Sequence, residues 1–256
     1  MKNTLNDASR ERLIFALDVG GGQDEALSLV DLLWDHVGLF KVGKESFVRY
    51  GTEIVRQIQS RGGRVFLDLK FHDIPNTVIK AAEAAFDLGV AMFNMHALGG
   101  GRMMRGTMDA VRGLAEKTGK PQPIVLAVTV LTSHDDDDLK RLGFGTGVRE
   151  TVLNLARLAQ DSGVSGVVAS AEEAGAIRQA CGPGFLIVTP GIRGAKEVAG
   201  DDQKRIVTPL NAISGGADYL VVGRPIRQAV DPAGEADAIV GEIVRGMAAR
   251  DGRWRS

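Results

Sequence analysis

The sequence predicts an α/β fold of the (β/α)8-barrel type, built as one domain over residues 1–256. Three observations carry this. Eight short apolar runs alternate with longer amphipathic stretches from end to end, the pattern of successive parallel βαβ units. No shift in composition marks a boundary between domains. The length of 256 residues suits one such barrel and can bury a large core.

The strand candidates are residues 13–18, 39–42, 65–70, 91–95, 124–130, 166–169, 185–189 and 219–222. Each is rich in β-branched or aromatic residues and ends at a turn-prone or charged residue. Their near-continuous apolar character suits a sheet covered on both faces. Between them lie helix candidates. Residues 77–88 follow Pro75-Asn76, a favourable helix start, and residues 150–160 place Val152, Leu155, Leu158 and Ala159 on one stripe. A doubly wound open sheet has the same local pattern. The first strand, however, is not followed by the Gly-x-Gly-x-x-Gly turn of dinucleotide-binding sheets. Gly20-Gly21-Gly22 reads as a turn rather than a phosphate loop. Residues 1–11 form an N-terminal extension and residues 250–256 a solvated tail.

Composition narrows the function classes. The formal net charge of −1 gives no electrostatic reason to expect nucleic acid or an anionic membrane as partner. One cysteine, Cys181, excludes an internal disulfide and fits a cytoplasmic home. Four scattered histidines with that cysteine do not make a zinc cage. The first twelve residues lack the apolar stretch of a secretory signal. No apolar run approaches the roughly 20 residues that span a bilayer.

The charged residues are the sharpest feature. In Val65-Phe66-Leu67-Asp68-Leu69-Lys70-Phe71-His72-Asp73, strand alternation puts Asp68 and Lys70 on the same face, inside the barrel. That places an acid and a base at the C-terminal end of the third strand, where active sites of this fold lie. The first strand ends on Asp18, and the second carries Lys41 inside an apolar run. A lone Asp-x-Lys reads as a structural ion pair, whereas coincident charges at three strand ends point to a site. Asp73 lies on the loop that follows.

A phosphate site is predicted across the barrel mouth. The seventh strand runs into Pro190-Gly191-Ile192-Arg193-Gly194 and the eighth into Gly223-Arg224-Pro225-Ile226. Loops after these strands commonly hold phosphate in such barrels. Gly223 permits close backbone approach, and two arginines can grip one phosphate through several donors. The alternative is a helix-start turn with an exposed arginine. Residues 194–203, rich in Gly, Ala and charge, read as a mobile lid or a plain loop. His134-Asp135-Asp136-Asp137-Asp138 reads as an acidic helix start and not as a metal site.

The segment Asp68-Leu69-Lys70-Phe71-His72-Asp73-Ile74-Pro75-Asn76-Thr77 resembles the signature of orotidine 5'-phosphate decarboxylases. Ala16-Leu17-Asp18, Phe40-Lys41-Val42-Gly43, Leu131-Thr132-Ser133, Pro190-Gly191-Ile192-Arg193 and Val222-Gly223-Arg224-Pro225-Ile226 are similar to that family in its order, over nearly the whole chain. The length resembles the stand-alone bacterial type. The resemblance implies cofactor-free and metal-free decarboxylation of orotidylate to uridylate and carbon dioxide, the last step of de novo UMP biosynthesis. It implies Lys70 as proton donor to C6 of the pyrimidine and Asp68 beside the departing carboxylate. Asp73 would complete a Lys41-Asp68-Lys70-Asp73 charge network in the site of the other subunit of a homodimer. Asp18 and Lys41 would hold ribose hydroxyls, with Thr77 from the partner. Thr132 and Ser133 would meet the base, and Arg193, Gln203, Gly223 and Arg224 the phosphate. Two rivals share features. Related sugar-phosphate barrels carry Asp-x-Lys-x-x-Asp but use magnesium, and a non-catalytic uridylate sensor would need no Lys70.

Overall fold

The structure is a computed structural model and describes residues 4–192 and 207–253. Eight strands form a closed parallel barrel in chain order: β1 (Leu13–Ala16), β2 (Leu39–Gly43), β3 (Val65–Phe71), β4 (Met92–His96), β5 (Ile124–Val128), β6 (Gly166–Val168), β7 (Leu186–Thr189) and β8 (Tyr219–Val222). The pairing of β1 with β8, Ile14 beside Val221 and Phe15 beside Val222, rules out the open-sheet alternative. The predicted run 219–222 coincides with β8. The other predicted runs differ by one or two residues at an end. Strand ends are set by the neighbouring strand and not by the apolar run: predicted strand 13–18 stops at Ala16, although the Leu17 N–H still reaches Lys41 O at 3.0 Å.

The chain divides into two compact units. The first comprises Met1–Asp68 and Thr189–Ser256. Its core includes Phe15 and Phe40, packed edge to face with ring centroids 6.3 Å apart, and Ile54, Ile58, Leu220 and Ile243, all fully buried. Burying each such side chain contributes about 1.5–3 kcal/mol. The predicted N-terminal extension contains a helix, Thr4–Arg10, in which Arg10 pairs with Asp35 at 2.7 Å. At the other end the Pro232–Arg253 helix runs through the start of the predicted tail, because Arg250 Nη1 donates to Ala217 O at 3.1 Å and to Asp218 Oδ1 at 3.2 Å. A buried carboxylate with two arginine partners, Arg12 and Arg250, holds that end of the helix in place.

The second unit comprises Leu69–Val188. Its helix Pro75–Asp87 begins two residues before the predicted start, since proline in the first turn sacrifices no helical hydrogen bond. Helix Val148–Asp161 covers the predicted stripe and buries Val152, Leu155 and Ala159. The acidic run starts a helix, as predicted: Asp135 caps Asp136–Arg141, accepting from the Asp138 N–H while Asp138 accepts from the Asp135 N–H. Cys181 is buried, and burial pushes its thiol above its usual range.

Candidate active site

In the first unit, three strand ends bring Asp18, Lys41 and Asp68 together. The register sets Lys41 beside Ala16 on one side and Phe66 on the other, and aligns Asp68 with Gly43. Lys41 Nζ donates to Asp18 Oδ2 at 2.7 Å and lies 3.4 Å from Asp68 Oδ2. The Lys41 and Asp68 side chains are 10% and 12% exposed, against 41% for Asp18. A lysine this buried needs its carboxylates. Removing one partner from a buried pair costs about 3–5 kcal/mol because it strands the other charge. Sequence reasoning missed one contributor, Gly43. A β-carbon there would lie 2.5 Å from Asp18 Oδ1 and 2.9 Å from Lys41 Nζ, so the ion pair occupies the space a side chain would need.

Beside this triad opens a cleft of about 360 Å³, lined among others by Asp18, Lys41, Pro190, Gly191, Gly223, Arg224 and Arg227. Gly223 comes close to β1, where an added β-carbon would meet Ala16 Cβ at 3.2 Å. The helix that follows, Arg224–Arg227, is a single turn. So short a helix adds little dipole, and positive charge at the cleft comes chiefly from guanidinium groups. Arg227 is the second residue that sequence reasoning missed. Its Nη1 donates to Asp18 O at 3.1 Å, which ties the loop after β8 to the end of β1. Its position one turn beyond Arg224 was the available signal. Arg193, Gln203 and the predicted lid 194–203 lie outside the described residues. The flanking Ile192 and Val207 form a parallel bridge.

In the second unit, Lys70 is half-buried and has φ of 55°, the one positive φ outside glycine among the described residues. Pleat alternation therefore does not carry through Lys70, and the inference that Asp68 and Lys70 share a face by strand period loses its premise. The Lys70 N–H donates to Oδ1 of Asn94 on β4 at 2.8 Å. Sequence reasoning missed Asn94 too, though an amide inside Met92-Phe93-Asn94-Met95 was a readable signal. Asp73, Thr77, Thr132 and Ser133 are all exposed. Asp73 Oδ1 accepts the Ile74 N–H at 2.7 Å, and Thr132 and Ser133 form the turn that the His134 N–H closes onto Leu131 O at 3.0 Å. Among the described residues no group of three or more His, Cys, Asp or Glu could hold a metal ion, and no helix is long and apolar enough to cross a membrane.

This arrangement can bind a polyhydroxylated anion: a cation held between carboxylates faces hydroxyl groups, and arginines offer bidentate donors to phosphate. Comparison with known proteins identifies the family. The family model described as Orotidine 5'-phosphate decarboxylase / HUMPS family matches residues 11–239. A relative from Syntrophus aciditrophicus named orotidine 5'-phosphate decarboxylase is 59% identical over 249 residues, covering 97% of this chain and 99% of its own. One from Geotalea daltonii with the same name is 52% identical, covering 94% and 99%. The crystal structure of orotidine 5'-phosphate decarboxylase from Lactobacillus acidophilus superposes with a TM-score of 0.79 at 38% identity, over 90% of this chain and 98% of that one. The match extends over both strand-end charges and arginine loop, and the chain belongs to the orotidine 5'-phosphate decarboxylase / HUMPS family.

Proposed function

We propose that this protein is an orotidine 5'-phosphate decarboxylase, converting orotidylate to uridylate and carbon dioxide without cofactor or metal, as the last step of de novo UMP biosynthesis. The observation that carries the reading is the Asp18–Lys41–Asp68 chain, centred on the buried Lys41, beside the Arg224 cleft, in a chain 50–59% identical to relatives of that name. Loss of carbon dioxide leaves an electron pair at C6 with no attached group to absorb it, so positioned charge must supply the catalysis. In this reading Lys70, as an ammonium, stabilises that pair and then protonates C6. Asp68 lies beside the departing carboxylate and disfavours it in the ground state. Asp18 and Lys41 hold ribose hydroxyls, and Thr132 and Ser133 meet the base. Arg193, Gln203, Gly223 and Arg224 hold the phosphate, whose binding energy orients the ring.

The reading extends to assembly and location. The barrel works as one domain, in the cytoplasm, as a two-fold homodimer in which Asp73 and Thr77 serve the partner's site. What supports the dimer is the exposure of Asp73 and Thr77 on either side of Ile74, an apolar side chain 67% exposed. The test is direct. Purified protein in EDTA should lower the ultraviolet absorbance of orotidylate and release carbon dioxide. Turnover that depends on added magnesium would favour the sugar-phosphate members of the family, and uridylate binding without turnover would favour a sensor.

A further inference from the structure

We infer that Asn94 is a positioning residue for the reaction, acting through the backbone of Lys70; the inference rests on the decarboxylase reading of that lysine. Three observations lead to it. Lys70 holds a φ of 55°, where the β-carbon of an L-residue crowds its own peptide, and no other non-glycine residue among those described does so. Such a conformation persists only where its surroundings over-determine it. The Lys70 N–H donates to Oδ1 of Asn94 at 2.8 Å, a side-chain acceptor within a sheet. Asn94 is 1% exposed, and its backbone is fixed in β4 beside Leu126 of β5, so its amide has little access to water.

The physical consequence concerns direction. In a regular strand the pleat decides where a side chain points, and a left-handed residue escapes that rule. At Lys70 the positive φ means that strand alternation by itself does not set the direction of the Cα–Cβ vector. The amide oxygen of Asn94 fixes the peptide on the N-terminal side of that turn. A long, flexible lysine is a poor proton donor unless its stem starts from a defined place, because about one ångström of misplacement can cost a hundredfold in rate. Burying an amide in an apolar strand carries a desolvation cost, which the hydrogen bond from the Lys70 N–H helps to offset.

The test uses Asn94→Ala, which removes the acceptor, and Asn94→Asp, which keeps an oxygen in the same place. Wild-type turnover of orotidylate is measured first, so failure of the decarboxylase reading appears in that protein and is separate from the outcome at Asn94. Asn94→Ala should lower kcat about ten- to a hundredfold, with KM and uridylate affinity changed less than about threefold. Asn94→Asp should recover most of the lost kcat. In the Lys70→Ala background, Asn94→Ala should cause no further loss, because the group it positions is gone. Hydrogen exchange at the Lys70 amide should quicken in Asn94→Ala, a readout independent of activity. A kcat for Asn94→Ala within threefold of wild type, a loss equal in both backgrounds, or no recovery in Asn94→Asp would each overturn the role. If Asn94→Ala does not fold, Asn94→Ser takes its place, with the same kcat loss expected and the same outcomes overturning it.

Discussion

Lys70 lets backbone strain be separated from side-chain chemistry by comparing Lys70→Ala with Lys70→Gly. Both variants lack the ammonium, so lost charge interactions cancel between them, and both should lose at least ~10⁴-fold in kcat/KM while still binding uridylate. Their stabilities should differ. At a φ of 55° an alanine retains the left-handed penalty of roughly 1–2 kcal/mol, which glycine does not feel. Glycine in turn loses roughly 0.5–1 kcal/mol more chain entropy on folding. The balance favours Lys70→Gly by about 0.5–1 kcal/mol. For 256 residues the unfolding entropy near the midpoint is about 0.5 kcal/mol per degree, so the glycine variant should melt about 1–2 °C higher. Paired thermal scans and urea midpoints at equal protein concentration measure this. The sign is diagnostic, because at an ordinary strand position glycine is the less stable of the two. Lys70→Ala as stable as Lys70→Gly, or more so, would refute the strain at Lys70.

Three further outcomes follow from the site. Arg224→Ala should cost roughly 2–4 kcal/mol in kcat/KM for orotidylate, mainly through KM, and hardly affect orotidine, which has no phosphate; equal loss with both substrates would make Arg224 structural. Gly43→Ala adds a β-carbon 2.5 Å from Asp18 Oδ1 at an ordinary backbone φ of −85°, so it should part Asp18 from Lys41, lower kcat/KM about tenfold or more, and lower the melting temperature because the buried Lys41 loses a carboxylate partner. Activity within twofold of wild type would show that the pair tolerates being opened. Mixing inactive Lys70→Ala with inactive Asp73→Ala under conditions of proven subunit exchange should restore about one quarter of wild-type activity, since half the dimers are mixed and each of those has one intact site. Activity no higher than the mean of the two parents means that Asp73 serves its own subunit.

The secondary structure was legible because its signal is local. Eight apolar runs, a proline at a helix start and an acidic capping box report the period and the cap within a few residues of chain. The conjunction of Asp18, Lys41 and Asp68 was legible for a related reason: each stands at or near the end of a strand, and parallel strands in chain order put those ends side by side. What the tertiary structure decided depends on distant partners. Closure of β1 onto β8 joins Phe15 to Val222, and Arg227 reaches Asp18 O across 209 positions of sequence. Neither contact can be read from the local pattern, which marks Arg227 only by its position one turn beyond Arg224. Gly43 looks like any strand-end glycine until the ion pair that fills its side-chain space is present. Lys70 is the clearest case. Alternation assigns it a face by counting residues from Asp68, but counting assumes extended backbone, and only the fold, with Asn94 holding its N–H, accommodates the left-handed turn. The sequence determined which residues carry charge at the barrel mouth; packing and long-range hydrogen bonds decided how they are aimed.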